Sequence, residues 1–193
     1  MPPRKKWYFE SANYSSPLVA GRCHGETPTK KRCKRKACFG YPLCDAHNAS
    51  RYGIQSRVST IPGAGKGLFA TRTLSKDSWL CPYVGDKTIV SSVHSRYPGE
   101  MTAPYVVELP NGLAIDSACL RGIGSLANAL FSENGRVLSV SRHNSVLRYR
   151  SVGDGIPGIW LKTTKLIKPG DEIFLWYGHD YKLQQGTHKT RRA

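Results

Sequence analysis

A series of short apolar runs, each closed by a turn signal, limits the fold of this chain more than any other feature. Residues 58–61, 79–84, 105–109 and 113–115 are rich in β-branched and aromatic side chains. Between and after them fall Pro62-Gly63, Pro98-Gly99, Pro110-Asn111-Gly112 and Gly153-Asp154-Gly155. Short strands spaced in this way predict a mainly β domain. Asn111-Gly112, set between two such runs, predicts a hairpin. The last run, residues 173–177, follows Pro169-Gly170-Asp171 and stops at Gly178, so it reads as a final buried strand. A helix is expected over residues 117–131, with Gly122 and Gly124 working against it.

The chain has 193 residues, room for one domain with a real core and a small appendage. Lysine and arginine total 29 against 13 acids, a net charge of +16 that favours nucleic acid, chromatin or another acidic partner. No run nears the roughly 18 apolar residues of a membrane span, and the charged N-terminus lacks a signal-peptide core. An intracellular protein without a membrane partner is expected. Its six cysteines then read as thiols or metal ligands rather than disulfides.

The organisation read from composition has four parts. Residues 1–21 form a basic flexible arm containing Arg4-Lys5-Lys6, and residues 22–50 a Cys/His module. Residues 53–181 form the β domain, and residues 182–193 a basic tail. Within the second part, Cys23, Cys33, Cys44 and His47 are the expected ligands of a zinc ion. Zinc takes four soft or borderline ligands tetrahedrally, and Cys44-Asp45-Ala46-His47 supplies two of them from one turn. Cys38 stands as an alternative to one of the four. The pattern C-x-G-x-T, C-K-R-K and C-x-x-H is similar to a small knuckle or treble-clef module. A metal would also explain how so polar a segment keeps a shape. Lys30-Lys31-Arg32 and Lys34-Arg35-Lys36 lie between the ligands, where they suit phosphates or a nuclear import signal.

Gly65-Lys66-Gly67 is not a phosphate loop of the Walker type, because Thr60 and Gly67 stand where glycine and a hydroxyl residue are needed. Glycine in this turn still lets a ligand approach the backbone closely.

Two stretches far apart, Gly63-Ala64-Gly65-Lys66-Gly67-Leu68-Phe69-Ala70 and Gly170-Asp171-Glu172-Ile173-Phe174-Leu175-Trp176-Tyr177-Gly178-His179-Asp180-Tyr181, resemble the opening and closing motifs of the SET domain. That is the fold of most protein lysine methyltransferases. Tyr83-Val84-Gly85-Asp86 is similar to the family's Y-x-G-(E/D) segment. Residues 116–134 can be laid without a gap on its D-A-x-x-x-G-N-x-x-R-F-I-N-H-S-C-x-P-N pattern, with Asp116, Asn128 and Asn134 on matching positions. Ser125, Ala129 and Leu130-Phe131 depart from it, and Ala129 replaces the usual histidine. The chain therefore looks like the PR subfamily or the compact viral and protist SET proteins.

The resemblance implies a β-clip of short sheets with a C-terminal pseudoknot, and S-adenosylmethionine as cofactor. It implies catalytic roles for Tyr177 and Tyr83. Gly65, Lys66, Gly67, Tyr105, Asn128 and Tyr177 are implied to bind the cofactor. Tyr83 and Tyr105 would wall the channel for a substrate lysine, and Leu175 falls where larger aromatics limit the number of methyls added. The implied substrate is a histone tail or another basic protein in the nucleus, a host nucleus if the protein is viral. Another reading is a catalytically degenerate SET-like module that binds nucleic acid or chromatin through its basic zinc segment.

Overall fold

The structure, a computed structural model, describes residues 21–37, 40–96, 105–151 and 157–178. The arm over residues 1–20, Cys38, the turns at 98–99 and 153–155, and the chain from His179 onward lie outside the described residues. No helix among the described residues is long and apolar enough to cross a membrane.

The N-terminal segment builds its own small unit. Strands β1 (Gly21–Arg22) and β2 (Lys36–Ala37) pair antiparallel and lead to helix α1 (Asp45–Tyr52). Asp45 in the first turn and Arg51 in the last complement the helix dipole. The helix stops at Gly53, whose φ of 71° places it in the left-handed region while its amide returns to the Ala49 carbonyl at 3.0 Å. Cys23, Cys33, Leu43 and Cys44 form the buried centre of this unit. Two joints dock it on the rest of the molecule. Tyr52 packs against both cores, and the amides of Gly40 and Tyr41 donate to the Arg121 carbonyl at 3.1 and 3.2 Å.

The remaining elements are β3 (Ile54–Val58), β4 (Lys66–Ala70), β5 (Trp79–Pro82), β6 (Asp86–Ile89), α2 (Val90–Arg96), β7 (Val106–Glu108), β8 (Leu113–Asp116), β9 (Ser145–Ser151), β10 (Pro157–Thr163), β11 (Glu172–Ile173) and β12 (Leu175–Trp176). They make three small sheets with strand orders β11-β4-β3, β6-β8-β7 and β12-β9-β10-β5. Ile54, Leu68, Leu161, Ile167, Ile173 and Leu175 are fully buried where these sheets meet. The mainly β architecture of short sheets agrees with the strand pattern of the sequence. So does the hairpin: β7 and β8 pair antiparallel around a 3-10 turn at Pro110–Gly112, with Gly112 at φ 69°.

Three local expectations are corrected. The helix over residues 117–131 is reduced to one 3-10 turn, Ile123–Leu126. A Cβ on Gly124 would lie 2.9 Å from Leu161 Cδ1, and one on Gly122 2.8 Å from Val84 Cβ. The glycines thus let this segment lie flush on the core, and Ala127 and Asn128 continue in extended form to receive other backbone. The run at 58–61 is strand only to Val58, because the Thr60 amide leaves the ladder to bond the Glu172 carboxylate at 2.7 Å. The final run is not one strand but two. Glu172 and Ile173 pair with β4, whereas Leu175 and Trp176 pair in parallel with β9. Phe174 is the crossing point between the two sheets.

Candidate active site

The crossing at Phe174 organises the site. The Phe174 carbonyl accepts the amides of Asn144 and Ser145 at 3.2 and 3.0 Å and the Ser145 hydroxyl at 3.0 Å. Asn144 clasps the same segment from both sides: its amide nitrogen donates to the Glu172 carbonyl at 2.9 Å, and its Oδ1 accepts the Phe174 amide at 2.8 Å. On the opposite side the Leu175 amide donates to the Asn128 carbonyl at 2.9 Å, and the Tyr177 hydroxyl donates to the Ala127 carbonyl at 2.9 Å. The C-terminal segment is therefore threaded between residues 127–128 and 144–146, a pseudoknot held by backbone amides and carbonyls together with the side chains of Asn144, Ser145 and Tyr177. Asn134, which the ungapped pattern had placed on the family's last asparagine, lies exposed in the turn of 132–135. The clasp on the threaded segment is made by Asn144.

The segment that replaces the usual histidine position has its own anchor. His143 is fully buried; its Nε2 accepts the Leu130 amide at 2.9 Å while Nδ1–H donates to the Ser139 carbonyl at 3.1 Å. That pairing suits the neutral ring, and burial holds its pKa below the ordinary histidine value. The loop leaving Ala129 is thus pinned by an imidazole from further along the chain.

Beside the pseudoknot lies the glycine turn. Gly63 and Gly65 have φ of 77° and 72°, and a Cβ on either would meet nothing within 4 Å, so the backbone here faces open space. The inner side is closed. Glu172 is buried, and its carboxylate accepts Ser59 Oγ at 2.6 Å, the Thr60 amide at 2.7 Å and Thr60 Oγ1 at 2.5 Å. A side chain on Gly67 would run into that carboxylate. Asn128 joins the turn to the pseudoknot: its amide nitrogen donates to the Lys66 carbonyl at 3.0 Å and Ser59 Oγ at 3.2 Å. Gly65, Lys66, Gly67 and Asn128 are thereby brought together.

On the other side of the threaded segment is an open cleft of about 190 Å³, bounded by β7 on one flank and by β9 and β12 on the other. Tyr83, Val106, Val107, Ala127, Leu147, Leu175 and Tyr177 make most of its surface. Tyr83 is fixed by its hydroxyl, which donates to the Tyr105 carbonyl at 3.1 Å. Tyr105 itself is not among the cleft's lining residues; its ring lies under the Arg121 guanidinium at 4.0 Å. It thus supports the wall through its carbonyl. Sequence reasoning passed over Glu172, Ser59, Thr60, His143 and Asn144 as site residues. Only Glu172 carried a signal, as an acid directly before the last apolar run.

The Cys/His unit is a candidate metal centre. The ligand atoms of Cys23, Cys33, Cys44 and His47 all lie within 4.8 Å of one another. His47 Nδ1 is 3.4 Å from the Cys23 sulfur and 3.2 Å from that of Cys44. Zinc–sulfur and zinc–nitrogen bonds in a tetrahedron put neighbouring ligand atoms about 3.5–3.8 Å apart, so the set fits that ion. His47 Nε2–H donates to the Glu26 carbonyl at 2.8 Å, which fixes the tautomer with the Nδ1 lone pair toward the sulfurs. The amides of Gly25 and Cys44 point at the Cys23 sulfur at 3.3 and 3.2 Å, as suits a thiolate. Burial opposes ionisation of Cys44, but hydrogen bonds from His47, Cys23 and Cys33 outweigh it and lower the thiol to about 6. A Cβ on Gly25 would lie 2.6 Å from the His47 ring, so only glycine fits in the C-x-G turn. α1 supplies both Cys44, at its cap, and His47, within its first turn.

A family model described as the SET domain matches residues 65–178, more than half of the chain. No curated protein sequence matches it. Among solved structures it is similar to the Chaetomium thermophilum Polycomb Repressive Complex 2, with a TM-score of 0.54 at 20% identity over 69% of this chain and 16% of that chain. A ctPRC2 structure in an autoinhibited conformation bound to S-adenosylmethionine gives 0.53 at 20% identity, over 66% of this chain and 15% of that one. An active Polycomb Repressive Complex 2 in the stimulated state gives 0.55 at 18% identity over 69% and 16%. The chain spans about 15% of the length of these relatives, so the likeness concerns the fold of one of their domains. By the threaded C-terminal segment, the glycine turn it closes and the family match that covers both, the chain belongs to the SET domain family.

Proposed function

We propose that the protein is an S-adenosylmethionine-dependent methyltransferase acting on a lysine side chain of a protein substrate, with histone tails as the first candidates. The observation that carries this reading is the Tyr177 hydroxyl, tied to the Ala127 carbonyl at 2.9 Å where the cleft meets the threaded segment.

The cofactor's fit is supported by the open backbone of Gly63 and Gly65 and by the Asn128 carboxamide that fastens Lys66 beside it. Gly65, Lys66, Gly67, Asn128 and Tyr177 would hold it. When bound, S-adenosylmethionine supplies an electrophilic methyl group on a sulfonium. The chain's own task is to deliver a neutral amine. A lysine with its usual pKa of about 10.4 arrives protonated at neutral pH. Val106, Val107, Leu147 and Leu175 would take part of the hydration from an ammonium entering between them, which disfavours the charged form, and the sulfonium's positive charge would add repulsion, so that the proton is released to water. The Tyr177 hydroxyl donates to the Ala127 carbonyl, which fixes the direction of its oxygen, and that oxygen would accept an N–H of the incoming amine and set its direction. Tyr83, locked by the Tyr105 carbonyl, would hold the aliphatic stem of the lysine. Alignment of this kind supplies roughly 7–11 kcal/mol in well-oriented systems.

The zinc unit is proposed as a rigid docking element for phosphates. Lys30, Lys31, Lys34, Arg35 and Lys36 are all exposed on it, and the net charge of +16 points the same way. DNA in a nucleosome would hold the enzyme there while a basic tail enters the cleft. Activity is then higher on nucleosomes than on free histone and falls as salt is added; equal activity on both at all ionic strengths removes this part.

Titration calorimetry with S-adenosylmethionine, alongside labelling of lysine in core histones, tests the reading. Binding and labelling together support the enzyme. Absence of both favours a degenerate module that is tethered to nucleic acid and has lost its chemistry, a reading kept because Ala129 stands in place of the usual histidine.

A further inference from the structure

Among the described residues that line the cleft, one is charged, and it is an acid. Glu108 lines it at the end of β7, where every other lining residue is apolar, aromatic or a neutral small side chain. In a chain with 29 basic residues against 13 acids, a carboxylate at this place is against the general trend of the surface. The strand that bears it is held firmly. Glu108 pairs with Ala114 across the hairpin, and its carbonyl, turned away from β8, accepts the Tyr149 hydroxyl of β9 at 3.2 Å. The backbone of Glu108 thus bridges the two flanks of the cleft while its side chain is exposed.

β7 is the edge of the sheet β6-β8-β7, and beside that edge the cleft runs from Glu108 to Tyr177. An extended peptide laid there places its side chains alternately, with about 3.3 Å between successive residues. With its target lysine entering toward Tyr177, a residue next to that lysine or two away from it comes to the Glu108 end.

We infer that Glu108 is a specificity-determining residue that selects substrates in which an arginine or lysine lies within two residues of the target lysine. This rests on the methyltransferase reading above and adds the sequence context of its substrate. It also accounts for how a chain of charge +16 receives a basic peptide: the long-range repulsion is met at the cleft by an opposite charge placed beside the entering chain. Arginine is the better partner, because its planar fork matches a carboxylate in two parallel hydrogen bonds.

The experiment uses the full chain and three fluorescent peptides that differ only beside the target lysine, carrying arginine, glutamine or glutamate there. Anisotropy reads binding independently of turnover, and methyl transfer is followed on the same peptides. The expected result is that the wild type binds the arginine peptide about threefold to tenfold more tightly than the glutamine peptide, the range of a partly exposed to well-paired ion pair. Glu108→Gln brings the two affinities together, with the loss appearing in KM rather than kcat. Glu108→Arg reverses the order and favours the glutamate peptide. A preference for arginine that survives in both variants overturns the proposal, as does a wild type that binds all three alike. Should binding follow this pattern while no peptide is methylated, the methyltransferase reading fails and the role of Glu108 in peptide selection stands.

Discussion

Asn144 grips the C-terminal segment from two sides at once, its amide nitrogen on the Glu172 carbonyl at 2.9 Å and its carbonyl oxygen on the Phe174 amide at 2.8 Å. The two bonds hold the chain on either side of Ile173, at the place where it changes from one sheet to another. With Leu175 tied to Asn128 and Tyr177 to Ala127, they set the position of the tyrosine relative to the glycine turn. The site is therefore an outcome of topology, since each group that fixes Tyr177 comes from a distant part of the sequence.

Glu172 is the keystone of the turn below. Glu172→Ala removes the buried acceptor shared by the half-buried Ser59 hydroxyl and the amide and hydroxyl of the exposed Thr60, and is expected to cost about 1–2 kcal/mol in stability. Glu172→Gln keeps the volume but sets an NH2 group against those donors, so it recovers little. Urea midpoints with unchanged slopes check this. A change below about 0.5 kcal/mol, the range of an ordinary surface substitution, contradicts it.

The Cys/His unit has a core of its own, Cys23, Cys33, Leu43 and Cys44, so loss of a metal bound there should act locally. Metal analysis is expected to find zinc at about one equivalent per chain, and Cys44→Ser to abolish it. Chelation should expose the amides of residues 23–47 to hydrogen exchange, while β9 and β10 keep their protection. Equal protection with and without metal contradicts the assignment. Cys38, the alternative to one of the four ligands, lies outside the described residues.

His143 gives the fold a dependence on pH. Its pKa is depressed by burial, so the folded chain binds fewer protons than the unfolded chain in the window below about 6.5, the unperturbed value. The stability this neutral ring contributes is complete above that pH and declines as the pH falls toward the depressed folded value. His143→Gln keeps hydrogen-bonding groups but cannot titrate. It should be less stable than wild type at pH 7.5, with the difference narrowing at pH 5. Parallel loss of stability in both proteins over this range removes His143 as the cause.

Much of this was legible before any coordinates. Alternation and turn residues announced the short sheets and the hairpin at Asn111-Gly112, because those signals arise from backbone geometry over a few residues. The cluster of Cys23, Cys33, Cys44 and His47 was legible from spacing, since C-x-x-H at a turn puts two of the four on one loop. What the sequence hid was whatever depends on partners far along the chain. Residues 117–131 have the composition of a helix, yet Gly122 and Gly124 are spent on close packing with Val84 and Leu161. The last apolar run looks like one strand, yet Phe174 divides it between two sheets. Asn134 fits a pattern by count, while Asn144 does the work through contact. The contacts of Tyr105, with its ring under Arg121 and its carbonyl accepting the Tyr83 hydroxyl, likewise carried no signal in the sequence.

The central claim is that Tyr177, positioned by Ala127, aligns a lysine amine for methyl transfer. Its most direct test is transfer of a radiolabelled methyl group from S-adenosylmethionine to core histones and nucleosomes, comparing wild type with Tyr177→Phe. The variant loses one hydrogen bond, so its stability should drop by only about 1 kcal/mol and its cofactor binding should persist. Its turnover should fall on the order of 10² or more, the usual cost of removing a group that acts on the reacting atoms. Labelling of a histone lysine by the wild type, lost in this folded variant, is the predicted result. Labelling that continues undiminished in Tyr177→Phe would contradict the account.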